Sequence, residues 1–95
     1  MLKPDFAPAF VRGRKRCVKK HWNISELDKA LAVVVGRDEK PIPPDFADHG
    51  LLGKLKRYRA VHVGGKASNW VVVYRIDGDR VMFISTGTHD EVYND

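Results

Sequence analysis

The run from Trp70 to Tyr74 constrains the fold more than any other stretch, because every residue in it is apolar or aromatic. A strand with one wet face alternates apolar and polar residues, so an unbroken apolar run is typical of a central strand in a covered or grooved sheet. Asp77-Gly78, directly after this run, is a strong hairpin signal. The sequence therefore predicts a three-stranded meander, with strands at 55–63, 69–76 and 80–86.

Two helices are predicted before these strands. The first begins near Ala7, and helical spacing places four residues on one of its faces, namely Phe10, Gly13, Cys17 and His21. The second begins after the capping residue Asn23, where Glu26 completes a capping box, and it ends at Gly36. A tight turn at 22–23 joins the two helices into an αα-hairpin that covers one face of the sheet.

A short edge strand is predicted at residues 2–6. Pro4 is tolerated there because an edge position can lack an N–H donor. The predicted fold class is therefore α+β, with an N-terminal αα-hairpin packed on a small antiparallel β-sheet. The whole chain, residues 1–95, is expected to form a single domain.

The charge distribution indicates a polyanionic partner. The net charge is +5 and the isoelectric point is about 9.6, which suits RNA, DNA or an acidic protein. One group of Lys and Arg residues falls at 12–20, and a second falls at 54–59 beside two histidines. The first group is explained equally well as a solvated helix face that aids solubility.

The sequence also predicts the compartment. Cys17 is the only cysteine and cannot form an internal disulfide, which favours a reducing environment. The N-terminal residues lack the apolar core of a signal peptide, and no apolar stretch is long enough to cross a bilayer. We therefore expect a cytoplasmic protein with no membrane association.

Three of the four histidines lie in patterns that suggest chemistry. His49 and His62 flank the second basic group, and His89 ends the run 85–89. Groups that exchange protons near neutral pH, placed beside fixed positive charge, suit the cleavage of a phosphodiester. Strand alternation places His62 on the sheet face away from the helices. The residues predicted to bind substrate phosphate are Lys54, Lys56, Arg57 and Arg59.

The histidine pattern by itself leaves two alternatives to catalysis. Scattered histidines are often independent surface or core residues, and a motif becomes a site only through geometry. A zinc site is disfavoured, because Asp48 and His49 are too close to form a ligand pair. His62 and His89 are isolated in the sequence. We therefore predict no metal and no cofactor.

A family resemblance adds to this pattern. Its motifs are, in chain order, Asp48-His49-x-Leu51, Gly53, Tyr58-Arg59-x-x-His62-Val63, Trp70, Tyr74 and Thr86-Gly87-Thr88-His89. From about residue 10 to residue 93 the chain resembles the YafQ branch of the RelE/ParE-type toxins. These are small bacterial mRNA endonucleases that an antitoxin holds in check.

The resemblance implies a RelE-like fold and a metal-independent endoribonuclease that cleaves mRNA in the ribosomal decoding site. It implies that His49, His62 and His89 are catalytic and that Tyr93 contacts the substrate. It also implies a cognate acidic antitoxin as partner and a free toxin that is monomeric.

The sequence departs from the family pattern where Ala60 and Asn69 replace two acidic residues. These replacements remove one candidate base and one candidate orienter of a histidine. Two alternative functions remain, a non-enzymatic toxin that binds gyrase, as in the ParE branch, and a plain basic RNA-binding module. The histidine set favours the nuclease, because the ParE branch lacks that set.

Overall fold

A computed structural model describes residues 1–53 and 56–93 of the chain. The elements are β1 (Lys3–Phe6), α1 (Pro8–Lys19), α2 (Ile24–Val35), a short 3-10 helix (Pro44–Phe46), β2 (His49–Gly50), β3 (Arg59–His62), β4 (Trp70–Asp77), β5 (Arg80–Thr88) and α3 (His89–Tyr93). The predicted α+β class is confirmed. In the parts of the chain that the structure describes, no helix is long and apolar enough to cross a membrane.

The five strands form one mixed sheet in the order β1-β5-β4-β3-β2. The predicted meander is confirmed for β3, β4 and β5, which pair antiparallel in sequence order. The prediction of a wholly antiparallel sheet is wrong, because β1 lies parallel to β5. Both helices and three strands intervene between these two partners, so no local turn sets their relative direction.

The central strand β4 is covered on both faces. Its residues from Trp70 to Tyr74 are all buried, as the unbroken apolar run predicts. Gly78, with φ 60°, takes the first central position of the two-residue turn that leads into β5. The first predicted strand begins later than expected, at Arg59, and the part of that prediction at residue 55 lies outside the described residues.

Helix α1 lies against β5 through its buried face. Phe10, Gly13 and Cys17 are buried as predicted, and burial raises the pKa of the Cys17 thiol. His21 does not share their face, because the helix ends at Lys19. The backbone of His21 turns into the left-handed region, and the Trp22 N–H donates to the Cys17 carbonyl in a Schellman motif.

Helix α2 begins and ends where predicted. The Asn23 side chain accepts from the Ser25 N–H, and Gly36 follows the last helical residue. The predicted capping box is wrong in one detail, because the Glu26 side chain accepts from Lys29 rather than reaching back to Asn23. The face that α2 buries consists of Leu27, Ala30 and Val34, with Ile24 and Leu31 partly buried beside them.

Candidate active site

Three histidines form a row on the sheet face that the helices leave open. The rings of His49 and His62 have centroids 6.0 Å apart, and those of His62 and His89 lie 5.4 Å apart. The Tyr93 ring continues the row at 5.6 Å from His89. The structure thus brings the three histidines together on one side of the sheet, the side on which strand alternation predicts His62.

Strand register explains why residues so distant in sequence meet. His49 of β2 pairs with Ala60 of β3, so its side chain falls on the same face as His62, two residues further along. His62 pairs with Val71 of β4, which in turn pairs with Gly87 of β5. His89 begins α3 directly after β5, beside the end of β3 that carries His62.

Each of the three imidazoles has its Nδ1 atom held by an oxygen. The partner is the Ala47 carbonyl for His49, at 2.8 Å, and the Ser68 carbonyl for His62, at 2.9 Å. A carbonyl oxygen can only accept, so Nδ1 carries the proton in both rings. Their Nε2 atoms are therefore the ones that can take up or release a further proton.

Asn69 orients the third imidazole. Its Oδ1 lies 2.7 Å from His89 Nδ1 and also accepts from the His89 backbone N–H, at 3.3 Å. Because a backbone N–H can only donate, the atom facing it must be the amide oxygen, and Nδ1 of His89 is then the second donor. The replacement of the family's acidic residue at this position therefore keeps an orienter for His89, contrary to the expectation that it was lost.

Helix α3 is fixed to the sheet by Glu91. Its Oε1 accepts from the Thr88 N–H at 2.9 Å, while Thr88 Oγ1 accepts from the Glu91 N–H, which is a reciprocal capping box. Its Oε2 lies 3.0 Å from Nζ of Lys20, the residue that follows α1. The Thr88 N–H and Lys20 lower the pKa of the Glu91 carboxyl. The signal that sequence reasoning missed is Thr88-x-x-Glu91 itself, a capping-box pattern.

Gly87 makes room for this carboxylate. A Cβ atom built at position 87 would lie 2.8 Å from Glu91 Oε1, and the backbone there has φ 153°. A larger residue would displace the side chain that caps α3. The glycine thus supports the position of His89 without contacting it.

Arg59 does not join the histidines. Alternation along β3 turns it to the face opposite His62, where its Nη2 lies 2.9 Å from Asp48 Oδ2. Tyr74 donates its hydroxyl proton to Oδ1 of the same carboxylate and accepts from Arg37, at 3.1 Å. Burial and this bond to Asp48 raise the pKa of Tyr74 to about 12. The network fixes the residue that directly precedes His49.

The other described residues that are predicted to bind substrate, Lys56, Arg57 and Tyr93, are not part of this network. Lys56 and Arg57 are exposed in the segment between β2 and β3, and Lys54 lies outside the described residues. Tyr93 is half-buried, and its hydroxyl has no hydrogen-bond partner within residues 1–53 and 56–93. Burial raises the pKa of this hydroxyl. The Tyr93 ring closes a shallow cavity of about 180 Å³ beside the row, over Val73.

An αα-hairpin on one face of a five-stranded mixed sheet, with a row of histidines on the other face, defines a RelE-like α+β protein. The chain belongs to the YafQ family, because the family model described as "Bacterial toxin of type II toxin-antitoxin system, YafQ" matches residues 2–94.

One named relative and two solved structures show what this chain is similar to. The mRNA interferase toxin YafQ of Escherichia coli K12 is 27% identical over 89 residues, which cover 94% of this chain and 92% of that protein. The crystal structure of the E. coli DinJ-YafQ toxin-antitoxin complex matches with a TM-score of 0.83 and 24% identity, covering 97% of each chain. A metal-bound toxin from Helicobacter pylori matches with a TM-score of 0.83 and 27% identity, covering 98% of this chain and 100% of that one.

Proposed function

We propose that this protein is a toxin that cleaves mRNA on the ribosome, with His49, His62 and His89 as the catalytic residues. The observation that carries the proposal is the row of three imidazoles, each with Nδ1 held by an oxygen. Membership of the YafQ family and the mRNA interferase activity named for the E. coli relative support the choice of substrate.

The reaction needs two proton transfers and one bond exchange at phosphorus. The Nε2 atom of one imidazole takes the proton of a ribose 2′-hydroxyl, and the freed oxygen attacks the adjacent phosphorus. The bond from phosphorus to O5′ breaks as a second, protonated imidazole donates a proton to the leaving oxygen. The products are a 2′,3′-cyclic phosphate and a 5′-hydroxyl end. Since the histidines supply both transfers, the proposed reaction is metal-independent.

The spacing of the rings suits these roles. His62 lies between His49 and His89, at 6.0 and 5.4 Å, so two neighbouring imidazoles can face opposite sides of one phosphate. The third imidazole, when protonated, stabilises the charge that develops on the phosphate oxygens. Tyr93, at the end of the row, can stack on a base.

The basic residues near the histidines have two different proposed roles. Lys56 and Arg57 are exposed and suit contact with the RNA backbone, and we propose the same role for Lys54. The Arg59 guanidinium is engaged by Asp48, so we assign it to positioning His49 rather than to holding phosphate.

The proposed regulator is an acidic antitoxin. The relative in E. coli forms a toxin-antitoxin complex with DinJ, and the net charge of +5 on this chain suits an acidic partner. We propose that the free toxin is a monomer and that the antitoxin covers exposed Lys and Arg residues of the toxin.

The test is single-turnover cleavage of a message bound to the ribosome. His62→Ala and His89→Ala should each slow cleavage by about a hundredfold or more, the usual loss when a general acid or base is removed. His21→Asn is the matched control, because His21 is exposed, lies outside the row and has a left-handed backbone that asparagine tolerates. Toxin that is dialysed against a chelator before it is added to the ribosomes should cleave at the wild-type rate.

Circular dichroism decides whether each variant is folded. If folded His62 and His89 variants cleave at the wild-type rate, the histidine mechanism is wrong. Binding of RNA without cleavage by the wild type would point to an RNA-binding module, and binding of gyrase would point to the ParE-type function.

A further inference from the structure

A second cavity, which we call the Trp22 cavity, lies outside the histidine row. It has a volume of about 390 Å³ and opens between the α1–α2 turn and the segment that joins β3 to β4. Two tryptophans form its wall, with the centroids of Trp22 and Trp70 4.9 Å apart. The polar residues that line it include Asn23, Glu26, Ser68 and Asn69.

The Trp22 cavity adjoins the proposed active site through two neighbouring residues, since Ser68, whose carbonyl holds Nδ1 of His62, also lines it. Asn69 lines the cavity and at the same time holds Nδ1 of His89, at 2.7 Å. An RNA strand whose scissile phosphate lies on the histidine row therefore passes Asn69 when it leaves the row on this side. A neighbouring nucleotide can then reach Trp22.

Charge decides which part of a nucleotide the cavity accepts. Glu26 lines the cavity, and no Lys or Arg is among the described residues that do so. The Glu26 carboxylate is paired with Lys29 at 3.2 Å, so no described residue of the lining offers a cation to a phosphate, whereas a neutral base needs none. Lys20 lies outside, with Nζ 4.8 Å from the centre of the Trp22 ring, at the basic end of α1. The arrangement places an aromatic surface inside and a cation at the rim, which is a common design for single-stranded RNA.

We propose that the Trp22 cavity binds the base of a nucleotide next to the cleaved one, and that it prefers bases with an exocyclic amino group. The base stacks on Trp22 and its amino group donates to the Glu26 carboxylate, as cytosine N4 does to acidic residues in nucleic-acid complexes. This inference rests on the proposed nuclease function and adds a specificity site to it.

The experiment combines protein variants with messages that lack a single base. A set of messages carries one abasic nucleotide at each position that flanks the cleavage site, so the backbone charge is unchanged. At one of these positions, the abasic nucleotide should slow cleavage by the wild type about 5- to 150-fold. This is the range expected for loss of one base stacked on an aromatic side chain. Trp22→Ala should slow cleavage of the intact message by a similar factor. The same abasic message should then be cleaved by Trp22→Ala with no further loss.

Two further variants separate stacking from folding. Trp22→Phe keeps an aromatic ring and should recover most of the rate, and Val18→Ala is the control because Val18 is an apolar residue of α1, 48% exposed, that does not line the cavity. Glu26→Gln should leave the fold intact and should weaken the discrimination between amino-bearing bases and uracil at the same position. Additive losses in Trp22→Ala and the abasic message would overturn the proposal.

A binding assay keeps this inference distinct from the proposed function. The affinity for a labelled single-stranded oligoribonucleotide is measured by fluorescence anisotropy, for the wild type and for Trp22→Ala, with and without the abasic nucleotide. If the wild type does not cleave, the proposed nuclease function is wrong. The cavity is still supported as a base site if Trp22→Ala and the abasic nucleotide each lower the affinity and together lower it no further. Equal affinities of wild type and Trp22→Ala for the intact oligonucleotide would reject it.

Discussion

Asn69 holds His89 with a neutral oxygen rather than with a charged one. A carboxylate at the same place would favour the protonated ring, because an opposite charge within hydrogen-bond distance stabilises the charged form. We therefore expect Asn69→Asp to shift the pH–rate profile toward higher pH in the limb that His89 controls. The profile is measured by single-turnover cleavage over a series of buffers at constant ionic strength.

The control for this shift is Ala67→Asp. Ala67 is exposed in the same segment, so the variant adds the same charge without a contact to His89. It should leave the profile close to that of the wild type, since an exposed charge is screened by salt. A profile that is identical in Asn69→Asp and Ala67→Asp would show that Asn69 does not orient a titrating group of the reaction.

Single residues also show what sequence reasoning could find. Alternation along β3 was enough to predict the face on which His62 lies, because the strand period of two is a local property. The partner of Arg59 was not predictable in this way. Arg59 carries the charge expected of a phosphate ligand, but Asp48, eleven positions earlier, engages it at 2.9 Å through the fold.

Strand β2 has only two residues, so neither propensity nor periodicity could reveal it. Its position is set by the hydrogen bonds of the preceding residue, Asp48, whose carboxylate accepts from Arg59 and from Tyr74. We expect Asp48→Asn to lower the free energy of unfolding by about 1–3 kcal/mol, because the guanidinium loses its charged partner in a half-buried site. It should also slow cleavage, because His49 follows directly.

Asp5→Asn is the matched control for that element. Asp5 binds Arg80 at 3.0 Å in an ion pair whose side chains are 39% and 51% exposed, against 16% and 36% for Asp48 and Arg59. An exposed pair contributes little, so this variant should change stability by less than about 1 kcal/mol. Urea unfolding measures both variants, and equal losses would contradict the anchoring role of Asp48.

Helix α1 approaches β5 closely at Gly13. A Cβ atom at this position would lie 2.2 Å from the Thr86 carbonyl oxygen, and a backbone atom cannot rotate away as a side chain can. We expect Gly13→Ala to destabilise the protein by about 1–3 kcal/mol or more, because the helix must move off the sheet. Thermal unfolding followed by circular dichroism gives the measurement.

Gly36→Ala is the comparison for Gly13→Ala. At position 36 the nearest atom to a built Cβ is the Ala32 carbonyl oxygen at 3.5 Å, which is an ordinary contact, and φ is −89°. This variant should leave the melting temperature nearly unchanged. If Gly13→Ala has the same melting temperature as Gly36→Ala, α1 can shift without loss of packing and the prediction is wrong.

Across the molecule, local patterns predicted the longer elements, and tertiary contacts decided their arrangement. Helical periodicity gave α1 and α2, and the Asp77-Gly78 turn gave the β4–β5 hairpin. The parallel pairing of β1 with β5 joins residues about 77 positions apart, as in Lys3 with Arg80, so only the complete fold determines it. The histidine row has the same origin, since its members come from β2, β3 and α3.

The largest group of basic residues in the sequence lies along α1 and at its end. The basic residues of this helix and its end are Arg12, Arg14, Lys15, Arg16, Lys19 and Lys20. Within the described ranges, only Arg16 and Lys20 of this group form ion pairs, both with Glu91. The remaining cations are exposed and face solvent, so they can attract an acidic partner over long range.

We therefore expect the complex with the proposed acidic antitoxin to weaken as salt rises. Between about 0.1 M and about 1 M salt the Debye length falls from about 10 Å to about 3 Å, so exposed charge pairs lose most of their attraction. Calorimetry across this range should show an affinity loss of about tenfold or more. Lys15→Glu combined with Lys19→Glu should reproduce much of that loss at low salt, whereas Lys40→Glu, beyond the end of α2, should not. An affinity that stays constant across the salt range would mean that apolar burial, rather than the charge of α1, stabilises the complex.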